Sequence, residues 1–265
     1  MSLPDDDMPD AVPVPHLLVP HLSETALLLD IDGTLLDLAP TPRDVSVPPD
    51  LLQTLNLLRA KTSGALALVS GRSVNDIDLI FAPEEFSAVG GHGAEMRLAI
   101  GGDAATMLAP RLDSELKRRL AAIARLSPGI LLEDKGYSLA LHYRLAPSAE
   151  TAIREAITLI QSDLPDAPIE VLPGKCVFEV KHSAFNKASG VRALMARGPF
   201  SGRRPLFIGD DVTDESVFEI MPEFQGTAFS VGTRVRSVAG HFDAPSDVRE
   251  FLARLTVDQN ATAEP

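Results

Sequence analysis

Several apolar runs in this chain show no polar alternation, and each ends in a small polar cluster. "TALLLDI" (25–31) leads into Asp30 and Asp32, "GALALVSGR" (64–72) into Ser70, and "RPLFIGDD" (204–211) into Asp210 and Asp211. A strand without alternation needs apolar cover on both faces. A parallel sheet sheathed by helices gives that cover, and a half-exposed antiparallel sheet does not. Residues 48–62 carry Leu51, Leu52, Leu55 and Leu58 at helical spacing, and 73–82 open on Ser73, a residue suited to an N-cap. A third strand over 86–98 runs into a Gly-rich turn. The alternation of strand and helix predicts an α/β core, a Rossmann-like doubly wound parallel sheet.

The rhythm changes in the middle. Residues 109–127 predict a long amphipathic helix, and 129–145 two strands around Lys135–Gly136. A second helix is predicted over 146–164, then two strands over 169–182 around Pro173–Gly174. Helix, hairpin, helix, hairpin predicts a separate α+β unit with an antiparallel sheet. A helix over 186–198 and a strand, turn and helix over 204–221 return to the first pattern. The expected organisation is a flexible acidic, Pro-rich segment (1–22), a core (23–107), an inserted α+β domain (108–181), the rest of the core (182–255) and a tail (256–265). Such insertions are tolerated where entry and exit lie close together.

Charge narrows the partners. The 265 residues carry a formal net charge of −13, which argues against nucleic acid or an anionic membrane surface as partner. An anionic ligand would therefore need a local cationic pocket. Cys176 is the single cysteine, so no intrachain disulfide forms and a reducing, cytoplasmic setting is expected. No apolar run reaches the ~18 residues of a spanning helix. The N-terminus lacks a basic stretch followed by an apolar one, so it does not read as a signal peptide. A monomer is expected.

In open parallel sheets, ligands bind outside the carboxyl ends of the strands. Three strands here end in Asp30/Asp32, Ser70 and Asp210/Asp211. Carboxylates gathered that closely repel unless a cation sits among them, and an all-oxygen set suits Mg²⁺. Ser70, with the N–H groups of Gly71 and Arg72, opens a loop before a helix and forms an anion cradle. Lys187 begins the helix that leads into the strand ending at Asp210, where its charge could offset a phosphate. Duller accounts exist for each: Asp30 and Asp32 as helix caps, Ser70 as an N-cap, Lys187 as a solvated residue with Lys181 its rival, Asp214 as a first-turn acid, and His92 as a structural residue.

Asp30-Ile31-Asp32-Gly33-Thr34, Ser70-Gly71-Arg72, Lys187 and Gly209-Asp210-Asp211-x-Thr213-Asp214 resemble the four ordered motifs of the haloacid dehalogenase-like phosphatases. "GGHGAE" (90–95), "LEDKGYSLALHYR" (132–144) and "GKCVFEVKHSAFNKASGV" (174–191) resemble the trehalose-6-phosphate phosphatases within that group. The likeness covers roughly 25–250. It departs at Val180-Lys181-His182-Ser183, where that family often has an Arg-Pro pair, which touches the junction between cap and core.

The resemblance implies a phosphoric monoester hydrolase using Mg²⁺. Asp30 would be the nucleophile that forms an aspartyl-phosphate, and Asp32 the general acid and then the base. The ion would be held by Asp30, the Asp32 carbonyl and Asp210, with Asp211 and Asp214 around it. Ser70, Gly71, Arg72 and Lys187 would bind phosphate. Glu133, Lys135, His142, Arg144, Lys175 and Glu179, on the inserted cap, would read the sugar. The substrate implied is trehalose 6-phosphate. Sucrose phosphate, mannosylglycerate phosphate and a non-catalytic sugar-phosphate sensor are the alternatives.

Overall fold

A computed structural model describes residues 21–39, 44–99, 106–174 and 176–257. Residues 1–20 of the flexible lead-in expected over 1–22, residues 258–265 of the tail expected over 256–265, and Lys175 lie outside these residues. Leu22 packs against the core and Thr256 ends the last helix, so the folded part reaches slightly further at both ends.

β1 (Thr25–Leu29) is buried at every position, as its unbroken leucines require. α1 (Pro49–Lys61) begins on a proline, which suits the first turn because its missing N–H would have no helical partner. It buries Leu51, Leu55 and Leu58. β2 (Leu66–Val69) is again wholly buried. α2 (Val74–Phe81) is capped by Ser73, whose hydroxyl accepts the Asp76 N–H at 3.1 Å. β3 (Ser87–Gly90), β4 (Glu95–Arg97) and the two-residue β5 (Thr106–Met107) follow.

The inserted stretch supplies α3 (Ser114–Ile123), β6 (Leu131–Asp134), β7 (Ser138–His142), α4 (Glu150–Asp163), β8 (Ile169–Gly174) and β9 (Val177–His182). Then come α5 (Lys187–Met195), β10 (Arg204–Gly209), α6 (Val212–Ile220), β11 (Thr227–Val231), β12 (Gly240–Phe242) and α7 (Pro245–Thr256).

The large sheet has the order β12-β11-β10-β1-β2-β3-β4-β5. Every pairing from β12 to β3 is parallel, and β4 returns antiparallel to β3. The core is a doubly wound α/β sheet, with Leu27, Leu29, Leu66, Leu68, Leu206 and Ile208 in one apolar cluster with α1, α2 and α7. Two particulars differ from the sequence reading. The strand expected over 86–98 is two strands folded back across Gly91–Gly93. The helix expected from 109 starts at Ser114, because the Asp113 carboxylate accepts the N–H groups of Glu115 and Leu116.

The chain divides into two compact units: Met107–Phe185, and the residues before and after it. The inserted unit has an antiparallel sheet of order β6-β7-β9-β8. One sheet face packs Leu139, Leu141, Phe178 and Val180 on α3 and α4, giving the unit its own core. The unit ends at Phe185 rather than at 181. Lys181 Nζ donates to the Phe185 carbonyl at 2.6 Å, and the Phe185 ring meets Tyr137 edge-on at 6.0 Å. No helix among the described residues is long and apolar enough to cross a membrane.

Leu29 is fully buried on the central strand. Leu29→Ala is expected to cost about 2–5 kcal/mol through lost burial and the cavity left behind. A lower urea midpoint with an unchanged m-value is the expected reading, and an unchanged midpoint would contradict the packing described.

Candidate active site

β1 and β10 lie side by side in parallel, with Leu29 opposite Ile208. From this pair the chain winds in opposite directions, β1 toward β2 and β3, β10 toward β11 and β12. Connections that diverge in this way open a crevice at the carboxyl ends of the two strands. Asp30 follows β1 and Asp210 follows β10, so both stand at that crevice. The Asp30 N–H donates to the Ile208 carbonyl at 2.9 Å, which fixes the aspartate's backbone to the neighbouring strand.

Two glycines make room for the carboxyls. Gly33 has φ +84°, and a Cβ there would overlap Asp210 Oδ2. A Cβ on Gly209 would overlap the Asp214 carboxyl. Thr34, fully buried, donates through Oγ1 to Asp210 Oδ1 at 3.3 Å. The sequence reading gave Thr34 no role, although its place directly after Asp32-Gly33 was the available signal.

Lys187 is the first residue of α5, a start fixed by a capping box between Asn186 and Ser189. It is buried, and its Nζ donates to Asp30 Oδ1 at 2.8 Å and to Asp214 Oδ1 at 2.7 Å. The other Asp214 oxygen accepts the N–H groups of Asp210 and Asp211, each at 3.1 Å. Asp214 thus ties Lys187 to the loop after β10. Asp211 is exposed and caps α6, taking the Val212 N–H at 2.6 Å.

Carboxylate oxygens of Asp30, Asp210 and Asp214 lie within 4.8 Å of one another. Burial pushes the Asp30 carboxyl well above its usual range; Lys187 opposes this, and Asp214 and Asp210 add to it. Burial, then the Asp214 charge, raises Asp210 to about 6, while a hydrogen bond to Asp30 pulls the other way. Burial works against the Lys187 charge, but Asp30 and Asp214 outweigh it and raise its pKa. Three carboxyls face one ammonium, so full ionisation leaves two negative charges uncompensated. That excess and the all-oxygen donor set match one hard divalent cation.

Asp32 is placed differently. Arg72 grips it in a two-pronged pair, Nε to Oδ2 and Nη2 to Oδ1, both at 2.6 Å. The Arg72 backbone N–H donates to Ser70 Oγ at 3.2 Å. The structure therefore joins Asp30, Lys187, Asp210 and Asp214 in one cluster, links Asp32 to the Ser70–Arg72 loop, and sets Asp211 at a helix cap.

On the inserted unit, Glu133, Ala140 and Glu179 form one cross-strand row, so Glu133 and Glu179 share the sheet face away from α3 and α4. Ser138 and His142, two residues either side of Ala140, share it too. Glu179 accepts from Ser138 Oγ at 2.6 Å and from Lys135 Nζ at 3.4 Å. Glu133 and His142 pair at 2.9 Å. Arg144 is exposed just after β7.

Clustered carboxylates bound by a lysine at the switch point of a doubly wound sheet, with an α+β insert, characterise the haloacid dehalogenase-like phosphatases. The family model described as trehalose-phosphatase matches residues 28–253. A probable trehalose-phosphate phosphatase of Sinorhizobium fredii is 40% identical over 240 residues, 89% of each chain. The trehalose-6-phosphate phosphatase of Escherichia coli is 37% identical over 238 residues, again 89% of each. The solved C-terminal domain of Candida albicans trehalose-6-phosphate phosphatase shares the fold, with a TM-score of 0.71 at 20% identity over 88% of this chain and 92% of that one. The chain belongs to the trehalose-phosphatase family.

Asp210 binds its proton more tightly folded, near 6, than at the ordinary 3.8. A raised acid pKa favours the fold at low pH, and that contribution is lost as pH rises through about 6. In chelator, the protein is expected to lose on the order of 1 kcal/mol from this group between about pH 4 and pH 7, after allowance for solvent screening. Asp210→Asn should remove that loss. Urea midpoints at the two pH values check it; equal slopes in parent and variant would contradict it.

Proposed function

We propose that this protein is a Mg²⁺-dependent phosphatase that hydrolyses trehalose 6-phosphate to trehalose and phosphate through an aspartyl-phosphate. The observation that carries the reading is the buried Asp30, oriented by Lys187 at the sheet's switch point in a chain of the trehalose-phosphatase family.

An Asp30 oxygen attacks phosphorus, and the bond from phosphorus to the sugar oxygen breaks with its electron pair going to that oxygen. Asp32 gives the departing oxygen a proton. Water then attacks the aspartyl-phosphate, Asp32 takes its proton, and the bond between phosphorus and Asp30 breaks. Lys187 holds Asp30 Oδ1, which fixes the attacking carboxyl before substrate arrives. Arg72 would exchange its grip on Asp32 for the phosphoryl oxygens, aided by Ser70 and the Gly71 N–H, leaving Asp32 to carry the proton. Mg²⁺, held by Asp30, Asp210 and the Asp32 carbonyl with Asp211 and Asp214 near it, would supply positive charge against the phosphoryl oxygens.

Glu133, Lys135, His142, Arg144, Lys175 and Glu179 would read the sugar. The Lys135–Glu179–Ser138 and Glu133–His142 groupings mix donors and acceptors, which sugar hydroxyls require. We also read the protein as a cytoplasmic monomer.

Phosphate release from trehalose 6-phosphate, with Mg²⁺ and with excess chelator, tests the activity. Turnover is expected only with Mg²⁺. Asp30→Asn should lower kcat by at least about 10³-fold, ~4 kcal/mol of barrier, with the circular dichroism spectrum unchanged. A variant as active as the parent would remove Asp30 as nucleophile. A preference of about tenfold or more in kcat/KM for sucrose phosphate, ~1.4 kcal/mol, would reassign the substrate.

A further inference from the structure

The turn between β3 and β4 has a backbone that its sequence only partly explains. Gly91, His92 and Gly93 are consecutive residues with positive φ, at 56°, 55° and 97°. Glycine takes such angles without strain, but a side chain in the left-handed region costs on the order of 1 kcal/mol. A third glycine would serve the turn at no such cost, so the imidazole must return something through its contacts. Strained residues of this kind cluster at functional sites.

Those contacts run in two directions. The His92 N–H donates to the Ser70 carbonyl at 3.1 Å, and the Gly91 N–H to the Arg72 carbonyl at 2.7 Å. Glu95, just past the turn, accepts the Val74 N–H at 2.9 Å. Three hydrogen bonds thus strap the turn to the Ser70–Val74 segment. On its other side, a Cβ on Gly93 would overlap the carbonyl of Asn186, the cap of the helix that begins with Lys187. A Cβ on Gly190, within that helix, would come 2.9 Å from Gly93 Cα. The turn fills the space between the Ser70 loop and the start of α5.

The imidazole itself lies against Gly71. A Cβ there would overlap His92 Cε1, lie 2.5 Å from Nε2 and 3.1 Å from Nδ1. The ring occupies the place a side chain at 71 would take. We propose that His92 is a positioning residue of the phosphate loop: its imidazole, locked by the left-handed turn, props Gly71 and sets where the Ser70–Arg72 loop meets a phosphate. This rests on the reading of residues 70–72 as the phosphate-binding loop.

Calorimetric titration of inorganic phosphate, in Mg²⁺, into the parent, His92→Gly, Gly71→Ala and the double variant tests it. Glycine keeps the backbone of residue 92 and removes only the prop. His92→Gly is expected to bind phosphate about tenfold more weakly, with a thermal midpoint within about 4 °C of the parent. Gly71→Ala, driven onto the ring, should lose a similar factor. In the double variant the methyl enters the space the ring vacated, and affinity should return to within about threefold of the parent, not fall to the product of the two losses. His92→Asn, which tolerates the left-handed region, carries the comparison if the glycine variant does not fold. Parent-like binding by His92→Gly, or additive losses in the double variant, would overturn the proposal. A folded parent that binds no phosphate would instead sink the phosphate reading of the loop, and with it the basis of the proposal.

Discussion

Lys187 carries its charge where water hardly reaches, between Asp30 and Asp214. A buried ammonium is costly to hold, and only well-placed partners offset that cost. Lysine and partners come from three elements distant in sequence: Asp30 from the end of β1, Lys187 from the start of α5 and Asp214 from the first turn of α6. If any of the three shifts, a buried charge loses its counterpart. The pair is better understood as a fixture that sets the orientation of Asp30 than as a net source of stability.

The site is not relaxed by Lys187 alone. Three carboxyls against one ammonium leave the cluster short of positive charge, and burial first, then the neighbouring carboxylates, make Asp30 and Asp210 hold protons more tightly. The fold carries this strain at the place where a cation and a phosphoryl group would relieve it. Active sites concentrate such strain, since a pocket already satisfied would have little to gain from its ligand. The Arg72–Asp32 fork fits the same logic, because each partner holds a position that a phosphate and a proton could take over.

Steric room is the second constraint. Gly33 and Gly209 remove the two side chains that would exclude Asp210 and Asp214, and Gly71 and Gly93 remove two that would push His92 and α5 away. In this chain the glycines of the motifs act less by loosening the backbone than by letting other groups come close.

Much was legible from residue order. Unbroken apolar runs such as "ALLL" cannot be half-exposed, so the parallel sheet followed, and the change to helix–hairpin repeats marked the insert. Asp30, Lys187 and Asp210 could be picked out because each stands where a strand stops or a helix starts. The fold-back at Gly91–Gly93 was not legible, since a Gly-rich turn does not by itself say which way the chain leaves it, and the reversal depends on three left-handed residues. Nor were β11, β12 and α7 assigned. Asp214 kept a rival reading as a first-turn acid, because the sequence cannot show that Lys187, 27 residues earlier, reaches it. The sequence by itself determined the elements, their burial and the chemistry available at their ends. Tertiary structure alone decided which groups meet: the switch between β1 and β10 brings together aspartates 180 positions apart with Lys187 as a shared partner, and the β3–β4 turn, strapped to the Ser70–Arg72 loop, lays His92 against Gly71.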